Sequence, residues 1–136
     1  MKVLFVGSNP SVKNTDVNIP FEGTKSGTIL DKWVRYLELA NYQVVNVFDS
    51  VTSNNKVLSR KQVKESLHSL KLKLDNIEYD RIVALGKTAS EALKLLKISH
   101  YKLPHPSPRN RQLNSKDFLD KQLESCKIYV YSKEKA

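Results

Sequence analysis

Arg81-Ile82-Val83-Ala84-Leu85-Gly86-Lys87-Thr88-Ala89-Ser90-Glu91-Ala92-Leu93-Lys94-Leu95-Leu96 is the stretch that decides the fold. Its first five residues form a short, nearly continuous apolar run of the kind found in strands buried on both faces. Gly86 then leads directly into Ala, Leu, Lys and Glu, which are good helix formers. Gly86-Lys87-Thr88 looks like the end of a Walker phosphate loop, but the glycine required five positions earlier is Arg81, and a strand occupies the place of the glycine-rich loop. Nucleotide triphosphatase chemistry is therefore not expected. Lys87 can still meet a phosphate from a helix N-terminus.

The same alternation extends outward in both directions. Upstream, Lys2–Val6 is a β-branched and aromatic run closed by Gly7-Ser8-Asn9-Pro10. Residues from Ser11 to Lys25 have no periodicity and read as a long surface loop. From Ser26, apolar residues Ile29, Leu30, Trp33, Val34, Leu37 and Ala40 recur at helical spacing, which predicts a first helix to about Asn41. Gln43–Phe48 is strand-like with Asn46 as its one polar interruption after Gln43, and Asp49–Lys56 is a second loop. Ser59 and Gln62 fit a capping box ahead of a second helix with Val63, Leu67, Leu70 and Leu74 on one face. Downstream, Tyr101–Leu103 is a short fourth strand and Pro104–Asn114 an exposed loop, while Ser115 or Asn114 caps a last helix carrying Phe118, Leu119, Leu123 and Cys126. The tail from Ser132 is charged and expected to fray.

Alternating strands and helices predict an α/β fold, with a four-stranded, mainly parallel sheet covered by helices on both faces. In such sheets ligands sit outside the carboxyl ends of the strands, so the loops after strands one, two and four are where chemistry is sought. At 136 residues and 40% hydrophobic composition the chain predicts one domain over residues 1–136. The net charge of +9 makes a polyanion such as nucleic acid the leading partner class, with a surface kept basic for solubility as the lesser alternative. Cys126 is the only cysteine and the three histidines lack ligand spacing, so neither a disulfide nor a metal is expected. The first apolar run is too short for a signal or a membrane span, which predicts an intracellular, cytoplasmic protein that is DNA-associated if the charge serves nucleic acid.

Two segments concentrate residues suited to chemistry. In Gly7-Ser8-Asn9-Pro10-Ser11, glycine permits close ligand approach, proline stiffens the loop, and the Asn9 amide can orient a water; ordinary turn chemistry uses the same residues. In Pro104-His105-Pro106-Ser107-Pro108-Arg109-Asn110-Arg111, His105 is held between two prolines and can be aimed at developing negative charge. Ser107, Arg109 and Arg111 suit phosphates, and a rigid basic surface turn would look similar. Ser107 and His105, two residues apart in a proline-locked loop and without a convincing acidic orienter, are not expected to act as a hydrolase pair.

These two segments resemble the first and second active-site motifs of the uracil-DNA glycosylase superfamily. His105-Pro-Ser-Pro-Arg-Asn110, with the following Gln112 and Asn114, is most similar to its single-strand-selective monofunctional branch. Ile19-Pro-Phe-Glu-Gly23 stands where the family carries a Pro-Phe-Gly stretch, and Leu85-Gly-Lys-Thr-Ala89 is similar to a segment of the bacterial branch. The resemblance implies the family's three-layer sandwich and a cofactor-free hydrolysis of the bond between base and deoxyribose. It assigns Asn9 to the attacking water, Phe21 to stacking on the flipped base, and Asn46 to reading the base edge, with Gly7, Ser8 and Pro10 beside the base. His105 would stabilise charge on the departing base, Arg109 would fill the gap left in the stack or grip the backbone, and Ser11, Lys87, Ser107 and Arg111 would grip DNA. Ser8, Ser11 and Arg111 depart from the closest branch, so the pocket can suit a base other than plain uracil. The chain is also shorter than typical members, which implies a single-stranded or distorted DNA substrate and a monomer. A glycosylase for another modified pyrimidine, a catalytically silent DNA-binding module and a purely protein-binding role remain open alternatives at this stage.

Overall fold

The computed structural model describes residues 1–8, 25–48, 60–106 and 110–132, apart from the Arg111 side chain. Strands β1 (Val3–Gly7), β2 (Tyr42–Asn46), β3 (Arg81–Leu85) and β4 (Tyr101–Leu103) alternate with helices α1 (Lys25–Tyr36), α2 (Arg60–Asp75) and α3 (Lys87–Leu95), and α4 (Lys116–Tyr131) ends the fold. All strand pairings are parallel and the order across the sheet is β2-β1-β3-β4. The four-stranded α/β sheet with helices on both faces is thus as the sequence predicts.

Side-chain alternation sorts the apolar residues into two cores. Leu4, Val6, Val45, Val47, Ile82 and Ala84 pack beneath α2 and α3, while Val3, Phe5, Val83, Leu85 and Leu103 pack beneath α1 and α4. The order explains this division: β1 to β2 steps one way across the sheet, and β2 to β3 to β4 steps back. Crossovers of constant right hand must then place α1 on one face and α2 and α3 on the other. The direction reverses between β1 and β3, so the connections leaving those two strands part company there, the usual origin of a crevice at the carboxyl edge.

Several boundaries differ from the sequence reading; β2, for one, spans Tyr42–Asn46 where the sequence predicts Gln43–Phe48. Helix α1 ends at Tyr36, short of Asn41, because Glu38 adopts φ 56° and the amides of Glu38 and Leu39 turn back to the carbonyls of Arg35 and Val34. This is a Schellman closure, ordinarily built with glycine and here with a glutamate that gives no sequence signal. Lys97, at φ 60°, closes α3 in the same way through Ile98. The region read as a plain loop after β4 contains a 3-10 helix over Arg111–Asn114, which Asn110 caps by accepting a hydrogen bond from the Gln112 amide at 3.1 Å. Ser115 caps α4 as predicted, accepting from the Phe118 amide at 3.3 Å. Ser59 lies outside the described residues.

The amino edge of the sheet is closed by polar pairing. The Arg81 guanidinium, 8% exposed, donates to the carbonyls of Tyr129 at 3.3 Å, Asp80 at 2.9 Å and Ser132, and lies 6.0 Å from the centre of the Tyr129 ring. Tyr129 and Ser132 lie at the C-terminal end of α4, where a cation opposes the helix dipole favourably. Nearby, Ser90 Oγ and His100 Nε2 stand 2.7 Å apart while His100 Nδ1 is 2.8 Å from the Ile98 carbonyl, tying α3 to the entrance of β4.

Candidate active site

The register of β1 with its neighbours sets the floor of the site. Gly7 pairs with Asn46, and one step beyond the Val6–Ala84 pair it stands level with Leu85. Asn46 alternates with Val45 and Val47 of the α2 core and follows the phase of Val44, which packs against the α1 core, so its side chain lies on the α1 side of the sheet. Asn46, Gly7 and Leu85 therefore share one face and one level at the carboxyl edge. The middle residue has no side chain, and the strands on either side of it are about 10 Å apart at ordinary strand spacing. Gly7 thus puts no side chain between the Asn46 amide and Leu85.

Asn46 is 4% exposed, and its Oδ1 is buried with no hydrogen-bond partner among the described residues. A buried acceptor left in this state costs about 1–3 kcal/mol, a penalty expected to persist where a ligand supplies the missing donor. Its backbone is better provided for, since Lys73 Nζ of α2 donates to the Asn46 carbonyl at 3.3 Å.

On the far side of the crevice, His105 follows β4 by two residues and leans on the end of β3. A Cβ placed on Gly86 would sit 3.0 Å from the His105 Cβ, and Gly86 itself has φ 95°, a region that side chains other than glycine's enter only with strain. The Gly86 amide donates to the Leu103 carbonyl at 2.8 Å, joining β3 and β4 just below the histidine. From the other direction, Asn110 Nδ2 donates to the His105 carbonyl at 3.0 Å. Half-buried in this clamp, the imidazole has its pKa lowered by desolvation. The lowered pKa favours the neutral imidazole, which carries one ring N–H.

The structure thus brings Gly7, Ser8, Asn46 and His105 to one edge of the sheet, where the Phe48 amide donates to the Ser8 carbonyl at 2.8 Å. Lys87 opens α3 at the same edge, strongly exposed and 3.9 Å from Glu91. The backbone of Arg111 begins the 3-10 helix. Asn9, Pro10, Ser11, Phe21, Ser107 and Arg109 lie outside the described residues, so their assignments stand on the sequence alone. Three further residues bear on the site without having been picked for it: Gly86, Asn110 and Lys73. Asn110 was legible as the last residue of the His105-Pro-Ser-Pro-Arg-Asn110 motif and Gly86 as part of Leu85-Gly-Lys-Thr-Ala89, whereas nothing local marks Lys73.

The family model for the uracil DNA glycosylase superfamily matches residues 1–127. No curated protein matches the chain.

Proposed function

The chain belongs to the uracil DNA glycosylase superfamily, and we propose that it flips uracil or a related modified pyrimidine out of DNA and hydrolyses its bond to the sugar. Members of this superfamily are generally N-glycosylases that act on DNA, and the basic charge of this chain suits such a partner. The observation that carries the reading is the buried, unpartnered Oδ1 of Asn46 beside the side-chain-free Gly7. An acceptor there selects a base that presents a ring N–H, as uracil does at N3, and disfavours cytosine, whose N3 accepts.

Cleavage leaves the sugar carbon electron-poor and the departing base electron-rich, so the work of the protein is to stabilise charge in a dry pocket. A neutral His105 donates its N–H to a carbonyl oxygen of the base as negative charge grows there. Asn9 holds the water that completes the reaction, Phe21 stacks on the base, and Ser11, Lys87, Ser107, Arg109 and Arg111 hold the DNA backbone. The motif after β4 favours the monofunctional, single-strand-selective type of activity, acting as a monomer on single-stranded or distorted DNA.

Incubation of the protein with single- and double-stranded oligonucleotides carrying uracil, cytosine or other modified pyrimidines, followed by alkali and sizing of the strands, tests this directly. Scission confined to oligonucleotides whose base carries the ring N–H is expected. Salt-sensitive binding without scission on any base would instead identify a silent DNA-binding module.

A further inference from the structure

The amide of Asn46 is useful only if it is aimed, yet it sits on the strand least able to aim it. With the order β2-β1-β3-β4, β2 has a strand neighbour on one side only among the described residues. The Val47 amide donates to the Gly7 carbonyl at 2.9 Å and so faces β1. Because successive peptide groups of a strand face opposite ways, the amide and carbonyl of Asn46 itself face the open side. Among the described residues no ladder hydrogen bond fixes that carbonyl, and β2 ends at this residue.

We propose that Lys73 is a positioning residue for Asn46: its ammonium, reaching from α2 to the open-side carbonyl, fixes the end of β2 and so the direction of the base-reading amide. This rests on the glycosylase reading above. Lys73 Nζ lies 3.3 Å from the Asn46 carbonyl, on a half-buried side chain near the end of α2. A charge-assisted donor is stronger than a neutral one and holds a peptide plane more firmly. The lysine arrives from the α2 face while the Asn46 side chain lies on the α1 face, so it orients the amide without occupying the space of the base. Asn46 Oδ1 has no partner of its own among the described residues, so its direction is not set by a hydrogen bond to that oxygen.

The test uses the full chain and compares wild type, Lys73→Met and Lys73→Arg in single-turnover base release and in binding to uracil-containing and undamaged oligonucleotides. Lys73→Met keeps the aliphatic stem and removes the donor; we expect about a tenfold loss of base release and of the preference for uracil over undamaged DNA, the scale of a small misplacement. Affinity for undamaged DNA and its salt dependence stay at wild-type values, and Lys73→Arg recovers most of the preference. An equal loss on both oligonucleotides with a shallower salt slope would mark Lys73 as a phosphate contact and overturn the assignment, as would a Lys73→Met protein indistinguishable from wild type. Should Lys73→Met fold poorly by circular dichroism, Lys73→Gln, which retains a neutral donor, takes its place under the same two criteria. A wild-type protein that releases no base overturns the glycosylase reading and this one with it, an outcome separate from the others.

Discussion

The two ends of the sheet solve the same problem in opposite ways. At the amino edge a buried guanidinium reaches three carbonyls and an aromatic face, and its neighbour Lys2 is bonded to Asp80 through its amide at 2.7 Å and to Gln43 through its ammonium at 2.9 Å. At the carboxyl edge an amide oxygen is equally buried and has no partner among the described residues. Both edges belong to one sheet, so burial alone does not account for the difference. Polar groups serving the fold are satisfied within it; under the proposed function the Asn46 oxygen is kept for a ligand.

The contrast can be broken by substitution, and the largest effect belongs to the carboxyl edge. His105→Ala should slow single-turnover base release by about 10²–10³, the usual result of deleting one oriented donor, with urea midpoints little changed. At the amino edge the consequence reverses: Arg81→Met should cost about 1.5–3 kcal/mol of stability in urea titration and leave base release per folded molecule unaltered. Gly86→Ala lies between these, since it strains a backbone at φ 95° and presses on the His105 Cβ; a loss of about 1–2 kcal/mol with a measurable drop in base release is expected. Asn46→Leu gives the sharpest test, because replacing an unpartnered amide by an apolar group of similar size should raise stability by about 1 kcal/mol while abolishing discrimination between uracil and cytosine. A destabilised Asn46→Leu protein would show that the amide serves the fold after all.

The smallest effect is on pH. The His105 pKa is depressed from its ordinary 6.5 by burial, so the folded state holds fewer protons than the unfolded state between the two values. Its contribution to stability is full above pH 6.5 and is lost as the pH falls through the depressed value. Thermal melts of wild type and His105→Gln should diverge below that pH, the variant losing less stability on acidification. Catalysis that needs neutral imidazole should likewise persist to lower pH than an unperturbed histidine would allow.

The order of elements was readable in the sequence because each strand is a short apolar run and each helix repeats at three and four residues. Asn46 was readable for a related reason: a polar side chain inside Val44-Val45-Asn46-Val47 breaks a pattern that burial otherwise enforces. Glu38 and Lys97 were not readable as helix ends, because left-handed closure by these residues depends on the turn that follows and not on their own preference. Gly86 drew attention for the wrong motif, since its closeness to His105 joins positions far apart in the chain. Lys73 is one of 23 basic residues, and only the fold distinguishes it. Asn9 and Phe21 remain sequence assignments that base-release measurements on Asn9→Ala and Phe21→Ala can examine.

Cys126 faces the core beneath α4, fully enclosed, and burial pushes its thiol up to about 12. At neutral pH the sulfur carries no thiolate and meets no reagent while α4 stays docked. An alkylating agent added in excess can therefore modify this single thiol only during excursions that lift the last helix. The rate of modification becomes a clock for that opening, read by mass alone.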